Sequence, residues 1–217
     1  IGMATTAIYN VVDGIFVGQG VGTLGLGGLS VAFPVQMIVL SIALMVGIGS
    51  GSIVSRALGA GNREEAAATV GTGFTTLVVL ALVVSALGLV FIDPILRLFG
   101  ATEDILPYAR EYLMVILPGT LFIAVAIGSN AVVRAEGQAS YSMIIVGSGA
   151  VLNIALDPLF IFGFGMGLRG AALATVLAQA VSFVLALTFY IGPRSGLQLK
   201  ARHLRPRLDI LGQSLGL

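Results

Sequence analysis

Residues 143–164 read MIIVGSGAVLNIALDPLFIFGF. A helix needs roughly 20 mostly apolar residues to cross a bilayer, and this stretch supplies them. Yet an amide, Asn153, and a carboxylate, Asp157, stand inside it. A charge at bilayer depth costs about 2.5–3.5 kcal/mol on insertion scales and usually marks an ion or substrate pathway. Asp13, in YNVVDGIFVG, has the same setting. The chain holds ten acids, and the other eight lie at the ends of apolar runs or between them.

Five further apolar runs surround this one, at about 1–20, 29–57, 66–92, 108–133 and 171–191, and a seventh begins near Leu208. Composition agrees. Of 217 residues, 57% are hydrophobic and 10% charged, where a soluble domain carries about 25% charged residues. The mean hydropathy is +1.05. Outer-membrane strands would show alternating segments of about ten residues, whereas these runs are long and continuous. The expected fold is therefore an all-α polytopic membrane protein. It is a six-helix transmembrane bundle over 1–192, a basic link over 193–207, and the start of a seventh helix over 208–217.

The basic residues orient the bundle. Arg56, Arg63, Arg134, Arg194, Lys200, Arg202, Arg205 and Arg207 follow runs two, four and six. The positive-inside rule places those links, and the N-terminus, in the cytoplasm of a cytoplasmic-membrane protein. The cluster at 194–207 reads as a topology determinant that can also meet anionic lipid. Nucleic acid is not an expected partner. No cysteine is present, so disulfides and thiolate chemistry are excluded. The single histidine, His203, reads as solvated and not as a metal ligand. No charged segment or cleavage site precedes the first run, so it is not a signal peptide. The chain starts and stops within apolar stretches and reads as a fragment or one half of a longer protein.

Several motifs admit a plain and a functional reading. Gly47-x-x-x-Gly51 reads as close helix packing, or as the lining of a watery cavity. Gly20-x-Gly22-x-x-Gly25 fits a dinucleotide fingerprint, but a helical run precedes it and no acid follows 20 residues on. It reads as part of an external loop, GQGVGTLGLGG. Pro34 and Pro118 read as kinks in runs two and four, or as hinges. No metalloprotease, nucleophile-elbow or ATP-binding motif occurs, so the chain is not read as an enzyme and needs no cofactor.

The chemistry gathers around the acids. Pro158 leaves the Ile154 carbonyl without its helical donor. Asn153 and Asp157 are four residues apart and share a helix face. Carboxylate, amide and carbonyl oxygens are hard ligands of the kind a cation such as Na⁺ takes. The same carboxyl can instead carry a proton, since burial favours its neutral form. Tyr9 and Asn10 accompany Asp13. Asn130, Thr175 and Gln179 can add oxygen atoms inside the bundle, or simply bond neighbouring helices. Gln36 is a further supporting residue in the cavity wall.

The segments YNVVDGIFVGQGVG, LSVAFPVQ, GIGSGSIVSRALGAGNREEAAATVG, RAEGQASYSM and LNIALDPLFIFGFGMGLRGAALATVLAQ resemble the multidrug and toxic compound extrusion (MATE) family along essentially the whole chain. The resemblance implies two six-helix lobes, of which this chain matches the N-terminal one. It implies a Na⁺ or H⁺ site inside that lobe, falling on Asp13, Asn153, Asp157, Thr175 and Asn130, with Tyr9 beside Asp13. It further implies antiport of small organic, often cationic, compounds. The second lobe of the same protein and membrane lipid are the other expected partners. A lipid-linked oligosaccharide flippase and a non-transporting scaffold are the alternatives. A flippase calls for basic residues deep in the runs, and none is present.

Overall fold

The computed structural model describes residues 2–192, 195–197 and 203, with side chains from residue 14 onward. All regular elements among them are helical. They are α1 (Gly2–Gly59), α2 (Arg63–Val90), α3 (Ile92–Leu98), α4 (Leu106–Ala135), α5 (Ala139–Pro158) and α6 (Gly167–Ile191). One π turn, Leu159–Gly163, prolongs α5. Helices α1, α2, α4, α5 with its π turn, and α6 are long and apolar enough to cross a membrane. The expected seventh helix, and the link apart from 195–197 and 203, lie outside the described residues.

Two connections differ from expectation. GQGVGTLGLGG is not a loop: helix persists through it and breaks at a single residue, Gly22, with φ 78 and ψ −162. The stretch has no proline, Asn, Asp or Ser to build a turn. Its one break falls where glycine adopts a backbone conformation that other residues resist. The first two runs are thus two helical arms that meet at a kink at Gly22, with no loop between them. The connection DPILRLFGATEDILP likewise contains α3. Pro94 sits in its first turn, where a missing N–H is harmless, while Ile92 and Leu96, one turn apart, are buried.

Pro34 and Pro118 lie inside helices that continue past them. The α1–α2 turn is short and capped. Gly61 takes φ 76, and Asn62 Oδ1 accepts from the Glu65 N–H while its amide donates to Glu65 Oε2. The first bond is an N-cap that satisfies one backbone donor at the helix start, and the second, between side chains, holds the Asn62 amide in place.

Helix α4 is the centre of the bundle. In its most apolar window 61% of residues are buried, against 22–39% in the other spans. Small residues permit this. A Cβ on Gly47 of α1 would stand 2.7 Å from the Cα of Gly128 in α4, and one on Gly51 would stand 3.3 Å from Ala131 O. Backbones at such range gain dispersion contacts where burial from water gives no drive between helices. Both glycines thus serve close packing, and Gly47 also lines a small cavity beside Ser50. Outward faces remain apolar, with Phe33, Val79, Leu82, Val151 and Val184 exposed. A helix bundle apolar on both its inner and outer faces suits lipid.

The ends of the bundle carry the charge. Arg97–Glu103, Arg110–Asp93 and Arg169–Glu111 pair at one end, tying α3, α4 and α6. At the other end Ser195 donates to Glu136 Oε2 at 2.9 Å, and His203 Nε2 lies 3.2 Å from Glu64 Oε1. His203 is buried, with 6% exposure, against the expectation of a solvated ring. The histidine comes from the link but packs on α2, its backbone filling the space beside Gly71. Sequence adjacency to basic residues gave no sign of that contact.

Candidate functional site

Asp157 closes α5, and Pro158 follows as its last residue. From there the backbone ladder changes register: the Phe164 N–H donates to Leu159 O at 2.9 Å, five residues back. Proline has no N–H to give and crowds the preceding turn, and a π turn is a common answer to such strain at functional sites. Gly165 and Gly167, both at positive φ, then reverse the chain. Gly170 lets α6 approach within 2.8 Å of the Phe160 backbone, measured from where a Cβ would stand. This close hairpin sets α6 alongside α5.

The hairpin joins three of the expected residues. The Asn153 amide donates to Asp157 Oδ1 and to Thr175 Oγ1, each at 3.3 Å. Asp157 is fully buried and Asn153 is 3% exposed. Asn153 Oδ1 is buried without a hydrogen-bond partner. A buried amide oxygen left unpaired costs free energy, and it becomes a ligand if a cation enters. One carboxylate, one amide oxygen and one hydroxyl are therefore gathered where two helices meet.

The other expected residues divide. Gln36 donates to Tyr112 Oη at 3.0 Å, joining α1 to α4. Tyr112 is 2% exposed and shares an apolar cluster with Ile161 of the π turn and Ala171 of α6. The sequence reading missed Tyr112. Its only signal was a phenol inside an apolar run, where a buried hydroxyl seeks a partner. Gln179 lies one turn beyond Thr175, half-buried, and makes no hydrogen bond among the described residues. The side chains of Tyr9, Asn10 and Asp13 lie outside the described residues.

Asn130 is not brought to this cluster. Its amide donates to Ser142 O at 3.0 Å, fastening α4 to the start of α5. Ser142 precedes Asp157 by 15 residues, roughly 22 Å along a helix at 1.5 Å per residue. In this structure the Asn130 amide is engaged with Ser142 and not with Asp157. Its amide serves an interhelical bond, the ordinary use of a polar residue in a membrane bundle.

A helical membrane lobe with a buried carboxylate–amide–hydroxyl cluster defines the class: a polytopic membrane protein built like half of a secondary transporter. The MatE family profile matches residues 1–159, and the chain belongs to that family. It is 33% identical over 190 residues to the FAD transporter of Shewanella oneidensis, covering 86% of this chain and 42% of that protein. It is 26% identical over 213 residues to the multidrug export protein MepA of Staphylococcus aureus, covering 98% and 47%. A solved structure described as the inward-facing conformation of a multidrug resistance MATE family transporter of the MOP superfamily matches with TM-score 0.90 at 31% identity. That match covers 96% of this chain and 47% of the other. The chain spans about half the length of the curated relatives it matches. These relatives are transporters and not enzymes.

Proposed function

We propose that residues 1–192 are the N-terminal lobe of an ion-coupled antiporter that exports organic, often cationic, compounds across the cytoplasmic membrane. Residues 193–207 would form a cytoplasmic link to a second lobe beginning near residue 208. The observation that carries this reading is the fully buried Asp157 held by Asn153, whose amide also holds Thr175 of the neighbouring helix. A cation shared by α5 and α6 exchanges hydrogen bonds between side chains for bonds to the ion, and so changes how the two helices meet.

In the proposed cycle Na⁺ or H⁺ enters the cluster from outside, with Asp13 supplying a second carboxylate. Protonation neutralises Asp157, whereas Na⁺ is met by its carboxylate, Asn153 Oδ1 and Thr175 Oγ1. Each ion favours the lobe conformation that binds drug less well. Release of the ion inside restores drug affinity. Coupling of this kind requires only that ion and drug prefer different states.

The test is efflux by the full-length protein carrying Asp157→Asn, with an organic cation and FAD as two separate substrates. Gradient-driven export of the transported compound is expected to be lost, while the protein reaches the membrane in normal amount. Unchanged gradient-driven export would remove Asp157 from the coupling site.

A further inference from the structure

We infer that Ser50, Ser129 and Tyr190 form a binding site for one structural water molecule, which joins α1, α4 and α6 far from the carboxylate cluster. The first observation is the behaviour of Ser50. Six hydroxyls inside these helices bond back to the carbonyl four residues earlier, Ser30 to Leu26, Ser41 to Met37, Thr69 to Glu65, Thr75 to Gly71, Thr76 to Thr72 and Thr120 to Ile116, and Ser148 and Ser182 find other carbonyls. Ser50 does neither. Its Oγ is buried without a hydrogen-bond partner, and the residue is 2% exposed. The oxygen is turned toward α2, 2.6 Å from where a Cβ on Gly73 would stand. A buried hydroxyl left unpaired in an apolar bundle costs free energy, which a partner in the adjoining space offsets.

The second observation is the space in front of that oxygen. A cavity of about 10 Å³ is lined by Ser50, Gly73, Gly47, Phe74, Ser129 and Tyr190, with other apolar residues around them. Such a volume accepts about one water molecule, and a held water needs 2–4 polar partners. Ser50 Oγ is one. Tyr190 Oη is a second: it donates to Ser129 O at 3.3 Å, and its lone pairs remain able to accept. Ser129, 5% exposed, offers a third through its carbonyl or hydroxyl. A phenol, a hydroxyl and a carbonyl meet around a water-sized space inside a membrane bundle, where unpaired polar groups are costly. The water would be the only link between Ser50 on α1 and Tyr190 on α6.

The experiment is a double-mutant cycle of melting temperature in the full-length protein, with Ser50→Ala, Tyr190→Phe and the pair. Each single variant is expected to melt lower than wild type, and the pair by clearly less than the sum, because either change alone releases the shared water. A Ser50→Ala protein that melts unchanged or higher would mean the hydroxyl was merely unpaired, and overturns the site. Additive effects overturn it as well. Should Tyr190→Phe not fold, radiolytic hydroxyl labelling decides. Radicals formed from a held water modify the buried Tyr190 ring in wild type, and this labelling is lost in Ser50→Ala. A Tyr190 that is unlabelled, or labelled equally in both, refutes the assignment.

Discussion

Gly47→Ala tests the packing of the bundle most directly. A Cβ at this position would lie 2.7 Å from both Cα and O of Gly128 and 3.1 Å from its carbonyl carbon. These are backbone atoms, so no rotamer change relieves the contact. Ordinary van der Waals separation is about 3.5–4.0 Å, so α1 must back away from α4 by roughly 1 Å. Overpacking of this kind costs about 1–3 kcal/mol, and each kcal/mol lowers Tm by about 2–4 °C in a unit of 150–250 residues. The control is Gly147→Ala in α5, where nothing lies within 4 Å of the added Cβ. There the alanine should be neutral or stabilising, by up to about 1 kcal/mol, since glycine disfavours helix interiors. The assay is thermal denaturation of the purified full-length protein, read by near-ultraviolet signal or by aggregation onset. If both variants melt alike, the close α1–α4 approach does not govern stability and the reasoning fails.

Three further predictions follow from particular contacts. Asn153→Ala removes the donor shared by Asp157 and Thr175. Because the same change removes the proposed ligand Asn153 Oδ1, it should weaken cation binding in equilibrium titrations by about tenfold or more. Unchanged affinity would detach Asn153 from the site. Glu136 is pushed above its ordinary value of 4.5 by burial, opposed by its bonds from Ser195 and the Gly196 backbone. The folded protein then holds this proton more tightly than the unfolded chain, so this group's contribution to stability declines as pH rises through the raised pKa. Melting curves from mildly acidic to neutral pH should lose that slope in Glu136→Gln, and an identical slope in both proteins contradicts the argument. Finally, Gln36→Leu and Tyr112→Phe break one α1–α4 bond of 3.0 Å. Their melting penalties should be non-additive by about 0.6–1.7 kcal/mol, the range for such bonds in membrane bundles.

The membrane-spanning runs were legible because lipid imposes one strong rule, a continuous apolar length. Asp157 and Asn153 were legible for the converse reason, as polar exceptions at helical spacing on one face. Their junction with Thr175 could be suggested from sequence but not drawn, because it depends on how the π turn and Gly170 set α6 against α5. Asn130 shows the limit of reading by residue type. An asparagine inside a run announces a hydrogen bond, not its partner, and here the partner is a backbone carbonyl of Ser142. The break at Gly22 was hidden among glycines at 18, 20, 25, 27 and 28, any of which could have supplied it. His203 and Ser195 were unreadable because their partners, Glu64 and Glu136, lie 139 and 59 residues away.

The π turn at Leu159–Gly163 also governs how this chain is to be aligned with its relatives. A π turn is the trace of one residue inserted into an α-helix, since it carries an extra residue around the same circuit. Helical wheels drawn straight through 153–170 therefore misassign faces by about 100°, one residue's rotation at 3.6 residues per turn. Ile161, four residues after Asp157, stays on the buried face on either count, at 3% exposure, so the misassignment begins beyond it. A single-residue gap between related sequences at this point is best scored as the loss of the turn and not as an error. Deleting Phe162 is the corresponding engineering step, converting the segment to a plain helix while leaving every residue before Asp157 in place.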